Sequence, residues 1–180
     1  MKKIKLVGIS GSLRKNSYNQ GLIRAALETL PDLVTLEILS LENIPLYNQD
    51  DEKNFPRAVL DLKDKIKNAD GILISTPEYN YSFPGVLKNA IDWCSRPYGD
   101  NSWDNKRVAI MGASLGMQGT SRAQYHLRQV FVNLNMHPLN RPELMISLAQ
   151  EKFDEQGNLT DSKTKQKVKE LVLALVNACS

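Results

Sequence analysis

Short apolar runs alternate along this chain with longer amphipathic stretches, and that alternation leaves few folds open. The runs stand at Ile4–Ile9, Thr35–Leu39, Gly71–Ser75 and Val108–Met111, with a weaker one at Leu144–Leu148. Between them the pattern turns helical. Tyr18–Leu30 carries Leu22, Ile23, Ala26, Leu27 and Leu30 on one face, and Pro56–Asn68 carries Val59, Leu60, Leu62 and Ile66. Gly85–Trp93 and Arg122–Leu134 follow. The last stretch, Ser162–Cys179, places Val168, Leu171, Val172, Leu175, Val176 and Cys179 at i, i+3, i+4, i+7, i+8 and i+11, a core-facing stripe.

Strands separated by helices need crossover connections, so the sheet is parallel and covered on both faces. Five such units predict a three-layer α/β/α fold with a five-stranded parallel sheet, most simply of flavodoxin type, as a single domain over residues 1–180. Ligands of such sheets bind beyond the carboxyl ends of the strands, at the switch point of strand order. The basic start Met1-Lys2-Lys3-Ile4-Lys5 precedes an apolar run broken by Gly8 and Ser10, too short for a signal peptide or a membrane span, which predicts a soluble, cytoplasmic protein. A net charge of +3 does not argue for nucleic acid, and Lys163, Lys165, Lys167 and Lys169 read as a solvated face. Cys94 and Cys179 have no metal-ligand spacing, and His126 and His137 have no third ligand spaced to join them, so no metal is expected.

Three loops should meet at the ligand edge. The first, Gly8-Ile9-Ser10-Gly11-Ser12-Leu13-Arg14-Lys15-Asn16-Ser17-Tyr18-Asn19, sets small side chains, hydroxyls, two cations and free amides at a helix N-terminus, which attracts phosphate. It has no Gly-Lys-Ser/Thr and no Gly-x-Gly-x-x-Gly, and no cysteine stands near it, so it would bind a terminal phosphate without attacking it. The same residues also suit a polar β–α turn with Ser17 as the cap. The second, Thr76-Pro77-Glu78-Tyr79-Asn80-Tyr81-Ser82-Phe83-Pro84-Gly85, is stiffened by two prolines and offers aromatic faces and backbone N–H groups to a flat ring such as a flavin. Packing of its three rings onto the domain or another subunit is the other reading. The third, Gly112-Ala113-Ser114-Leu115-Gly116-Met117-Gln118-Gly119-Thr120, allows close backbone approach, although glycines before a helix also serve packing.

The stretches Gly11-Ser12-Leu13-Arg14-Lys15-x-Ser17-x-Asn19 and Pro77-Glu78-Tyr79-Asn80-Tyr81-Ser82-x-Pro84-Gly85-x-Leu87-Lys88-Asn89-Ala90-Ile91-Asp92-Trp93 resemble the NADPH-dependent FMN reductase family, and especially its bacterial quinone, chromate and azo-dye reductases. Arg122-x-x-Tyr125-His126-Leu127-Arg128-Gln129 and Pro142-Glu143 extend the resemblance over nearly the whole chain. It implies non-covalent FMN, NADPH or NADH as co-substrate, and a homodimer or homotetramer with flavin sites near subunit interfaces. Carried to matching positions, Ser12, Leu13, Arg14, Ser17 and Asn19 would hold the FMN phosphate. Pro77, Glu78, Tyr79, Asn80 and Tyr81 would line the isoalloxazine, with Ser114 nearby. Arg122, Tyr125 and Glu143 match a tetramer contact of some relatives.

The chemistry then belongs to the flavin: a hydride arrives from NAD(P)H, and two electrons leave to a quinone, azo dye or metal oxyanion in a ping-pong cycle. No side chain needs to act as nucleophile, so no catalytic residue is assigned. Glu78 reads as a loop residue or subunit contact rather than a general base, and Asp92 as part of a helix end. Cys94 reads as a packed thiol, although an exposed thiolate near a redox cofactor would be open to oxidation. Trp103, in the polar stretch 95–106, fits either a cap over a neighbouring subunit's site or a surface anchor. Arg14, Lys15 and Arg96 are the cations available for an NADPH ribose phosphate. A flavodoxin-like electron carrier would present an acidic face, which a net charge of +3 does not suit. A flavin-free scaffold would need neither of the first two loops.

Overall fold

A computed structural model describes residues 3–180; Met1 and Lys2 of the basic start lie outside them. Strands β1 (Ile4–Ser10), β2 (Val34–Leu39), β3 (Gly71–Ser75) and β4 (Arg107–Ala113) alternate with helices α1 (Tyr18–Leu27), α2 (Arg57–Lys67) and α3 (Gly85–Cys94). Helix α4 (Ser121–Asn133), two short strands β5 (His137–Pro138) and β6 (Leu144–Ile146), and α5 (Ser162–Cys179) complete the chain. All strand pairs are parallel, in the order β2-β1-β3-β4-β5, with β6 also on β4. This is the flavodoxin-like order, whose switch point lies between β1 and β3.

The pleat explains the layering, because successive side chains in a strand face opposite sides. Leu6, Leu73 and Met111 point to one side, where they pack with Leu22 and Ile23 of α1 and with Val168, Leu171, Val172 and Leu175 of α5. Val7, Ile9, Ile72, Ile74, Val108 and Ile110 point to the other, against Leu62 and Ile66 of α2, Leu87 and Ile91 of α3, and Leu127 and Phe131 of α4. The α5 stripe narrows at its end, where Val176 and Cys179 are half-buried. Leu27 and Leu60, expected on apolar faces, are instead 44% and 40% exposed, since the layer beneath is already filled by their neighbours.

The fifth strand departs from expectation. It is split: β5 pairs with Arg107 and Val108, and β6 with Met111 to Ala113. The apolar run at 144–148 forms only the second piece, and His137 lies in the first. Among the described residues no helix is long and apolar enough to cross a membrane, and no metal-ligating cluster occurs.

Trp103 corrects the reading of the stretch 95–106. It is 0% exposed, its indole N–H donates to the Ile91 carbonyl at 3.1 Å, and it belongs to the core under α3. It is neither a cap nor a surface anchor. The same loop is organised by a buried lysine. The Lys63 ammonium donates to the carbonyls of Arg96, Asp100 (2.9 Å) and Cys94 (3.4 Å) and faces the Asp100 carboxylate at 3.5 Å. Burial pulls the Lys63 pKa down, and Asp100 opposes it. Arg96 is held by Glu52 through Nε at 2.5 Å and Nη2 at 3.2 Å, so of the three cations considered for a ribose phosphate it is committed elsewhere.

Cys94 is fully buried, and burial pushes its thiol up to about 12. It is therefore a neutral thiol at pH 8 without access to solvent. In the folded protein a disulfide reagent at that pH should leave Cys94 unmodified, and unfolding should expose it. Rapid labelling of Cys94 in the native state, located by peptide mass, would contradict this placement.

Candidate functional site

The loops after β1, β3 and β4 enclose a cavity of about 560 Å³ at the carboxyl edge of the sheet. Ser12, Arg14, Ser17, Asn19, Pro77, Glu78, Tyr79 and Ser114 line it, so eight of the eleven residues picked from sequence converge there. Leu13, Asn80 and Tyr81 do not. The Leu13 side chain faces a separate, smaller cavity with Gln20 and Arg24, on the β2 side of the loop.

At one end Ser17 caps α1, its Oγ accepting the amides of Asn19 and Gln20 at 3.2 and 3.4 Å. The cap reading of the loop is thus correct, and it is compatible with an anion site. Ser12 Oγ accepts the Arg14 amide at 3.4 Å and Gln20 Nε2 donates to the Ser12 carbonyl at 2.9 Å, which shapes the turn. The amides of Leu13, Lys15, Asn16 and Tyr18 meet no acceptor among the described residues. With the Arg14 guanidinium and the helix dipole they form a donor set suited to phosphate.

Asn19 has a structural part as well. It lines the cavity and also bonds the protein: Nδ2 donates to the Ala113 carbonyl at 3.0 Å, and Oδ1 accepts from the Ala113 amide and from Ser75 Oγ, both at 3.0 Å. Asn19 therefore straps α1 to the ends of β3 and β4, and its second Nδ2 hydrogen meets no acceptor among the described residues. A side chain with adjacent donor and acceptor suits such a pair on one residue's backbone N–H and C=O.

The second loop is a tight hairpin. Tyr79 and Ser82 exchange backbone hydrogen bonds at 2.9 and 3.0 Å, and Asn80 and Tyr81 have φ of +50° and +69°. Positive φ at both central residues defines a type I′ turn, which Asn favours and Tyr does not. Tyr81 does not line the cavity; its ring lies under the guanidinium of Arg122, which does, at 3.7 Å. Such stacking offsets part of the cost of the Tyr conformation.

Glu78 explains why that stacking partner is fixed. Its Oε1 accepts from Arg122 Nε at 2.7 Å, and its Oε2 accepts the amides of Arg122 and Ala123 at 3.1 and 3.2 Å. Thr120 at the start of α4 makes no side-chain cap, so Glu78 caps the helix from another loop. The arrangement joins the second loop, the cavity wall and α4. Glu78→Ala should lower the unfolding free energy by about 1–2 kcal/mol, the range for a lost cap plus a helix-end charge. Glu78→Gln keeps an acceptor and should lose less; equal stability of wild type and Glu78→Ala in urea would remove the capping role.

In the third loop the glycines divide by role. A Cβ on Gly112 would stand 2.1 Å from Thr120 Oγ1 and 2.4 Å from the Thr76 carbonyl, so this glycine lets the second and third loops close together. Gly119, at φ +55°, packs on the Met145 backbone. Only Gly116 is open and lines the cavity, beside Leu115 and Met117, which are 60% and 74% exposed. Tyr18, Ala113, Leu115, Gly116, Met117, Gln118 and Arg122 were not among the cofactor residues expected from sequence. For Arg122 a signal existed: a cation in the first turn of a helix opposes the dipole and calls for a carboxylate partner. Tyr125 Oη donates to Glu143 Oε1 at 3.3 Å within the same chain, whereas Arg122 is taken by Glu78.

Comparison with known proteins agrees with this geometry. Residues 4–151 match the family of NADPH-dependent FMN reductases. The chain is 50% identical over 173 residues to a NAD(P)H-dependent FMN reductase of Pseudomonas aeruginosa, covering 96% of this chain and 93% of that protein. It is 46% identical over 179 residues to a NAD(P)H:quinone oxidoreductase of Solanum tuberosum, covering 96% and 91%. Among solved structures, the flavoenzyme NAD(P)H:(acceptor) oxidoreductase FerB of Paracoccus denitrificans superposes with a TM-score of 0.89 at 36% identity, covering 98% of this chain and 97% of that one. The chain belongs to the NADPH-dependent FMN reductase family.

Proposed function

We propose that this chain is a single FMN-binding domain over residues 1–180 that takes a hydride from NAD(P)H onto bound FMN, releases NAD(P)⁺, and then delivers two electrons to a quinone, azo compound or metal oxyanion. The convergence of an anion-type helix terminus and a stiff aromatic loop on one cavity carries this reading. That cavity volume lies within the range usual for small-molecule and cofactor sites.

In this reading Ser12, Arg14, Ser17 and the free amides around them hold the phosphate, and Asn19 holds the helix that presents them. Pro77 and Tyr79 wall the ring, with Ser114 across the cavity. Glu78 keeps that wall in register with α4. The open rim at Leu115 and Met117 admits the nicotinamide and the acceptor in turn, which is why one site serves both substrates. The exposed rings of Tyr79, Tyr81 and Tyr125 favour a homodimer or homotetramer, to be read from sedimentation equilibrium. The cytoplasm, with its NAD(P)H pool, is the compartment that suits this chemistry.

The test is a visible spectrum of the purified protein before and after anaerobic NADPH, followed by a quinone. A flavin band that bleaches with NADPH and returns with quinone is expected. A flavin that stays oxidised with both NADPH and NADH would assign an electron carrier. Failure to bind FMN at all would end the proposal.

A further inference from the structure

The turn at residues 153–160 lies outside the cavity and beyond the stretch that matches the family, yet it presses on the Ser12–Asn19 loop from behind. Four contacts make the join. The Phe153 ring packs on Tyr18 with centroids 4.8 Å apart, and the Arg14 guanidinium lies 4.9 Å from the centre of the same Tyr18 ring. Asn16 Nδ2 donates to the Glu155 carbonyl at 3.0 Å. Arg24 of α1 donates to the Gly157 carbonyl at 3.0 Å and grips Asn158 Oδ1 through Nε at 3.1 Å and Nη2 at 2.9 Å. Backbone also meets backbone. A Cβ on Gly157, at φ +76°, would lie 2.7 Å from the Asn16 carbonyl, and one on Gly21 would lie 1.9 Å from the Gly157 carbonyl.

The turn is itself rigid. Asp154 and Asn158 exchange backbone and side-chain hydrogen bonds: the Asp154 amide donates to the Asn158 carbonyl at 2.9 Å, and Asp154 Oδ1 accepts the Asn158 amide at 2.7 Å. The Gly157 amide donates to the Asp154 carbonyl at 2.9 Å. Phe153 and Leu159 anchor both ends in the core beneath α1 and α5. A stiff piece thus bears on a loop whose exposed Arg14 would otherwise sample many rotamers.

We propose that this turn is a clamp that presets Arg14 and the loop amides for phosphate, so that Phe153, Arg24, Gly157 and Asn158 are positioning residues for FMN although none reaches the cavity. Affinity then depends on order established before the ligand arrives, which removes part of the cost of binding. The inference rests on the reading that the phosphate of FMN sits at this loop.

Riboflavin separates the two, since it carries the same ring without the phosphate. Full-length wild type, Arg24→Gln and Phe153→Leu would each be titrated with FMN and with riboflavin by flavin fluorescence, with thermal melts run alongside. In the variants the FMN Kd is expected to rise about tenfold while the riboflavin Kd stays within about twofold, so the preference for the phosphate shrinks. Arg24 is half-buried and its partners are polar, so its variant decides the matter if Phe153→Leu does not fold. An unchanged preference in folded variants, or an equal loss for both flavins, overturns the clamp. A wild type that binds riboflavin as tightly as FMN overturns the phosphate reading itself, and the clamp with it.

Discussion

Arg14→Ala is expected to raise the FMN dissociation constant about ten- to a hundredfold, from the loss of a charge-assisted contact of about 1.5–3 kcal/mol. In the proposed reading the guanidinium serves the phosphate and little else. Among the described residues its fixed contacts are a 2.9 Å hydrogen bond to the Asn16 carbonyl and the face of Tyr18, both within its own loop. Removing it should leave the melting temperature of the flavin-free protein nearly unchanged, because no core contact is lost. Arg14→Lys should recover only part of the affinity, since a point charge does not reproduce the planar fork. A variant that retains FMN as tightly as wild type would move the phosphate site away from this loop.

Trp103→Ala should have the opposite profile: a large loss of stability with an intact site in the molecules that stay folded. Truncating a fully buried Trp costs about 3–5 kcal/mol through lost burial and the cavity left behind. Trp103 also donates to the Ile91 carbonyl in the last turn of α3, so the deletion removes one of that carbonyl's two hydrogen bonds, the Ser95 amide supplying the other. Trp103→Phe keeps most of the volume and should lose clearly less. Urea unfolding of the three proteins, followed by FMN titration under native conditions, separates stability from binding. A loss below about 1 kcal/mol for the alanine variant would mean that the side chain is not in the core.

What the sequence made legible, and what it hid, follows from how far each signal reaches. β3 and α5 have the bounds expected of them, because Gly71–Ser75 is a continuous apolar run closed by Thr76-Pro77, and α5 begins behind the Asp161 cap. Such signals are local. β5 has only two residues, one of them proline, and no periodicity could reveal it. Trp103 was obscured by its neighbours: Asn101, Asp104 and Asn105 read as solvent-exposed, while Lys63, forty residues earlier in the chain, supplies the charge that folds their loop inward. The three site loops were visible as motifs, and their meeting at one edge followed from the parallel topology. The occupation of Asn19 by Ala113 and the capping of α4 by Glu78 were not visible, since both are contacts between distant segments whose residue types fit several roles equally well.

The split of the fifth strand has a bearing on how copies of this protein meet. A long, flat edge strand offers a row of unpaired amides and carbonyls on which another chain can template a sheet, and proteins blunt such edges to escape aggregation. Here the border beyond β4 consists of a two-residue piece and a three-residue piece, and Pro138 removes one donor from the first. The intervening chain breaks the row again. That flank gives a growing fibril no continuous ladder to copy, so association on this side has to proceed through helical and loop surfaces rather than by strand addition.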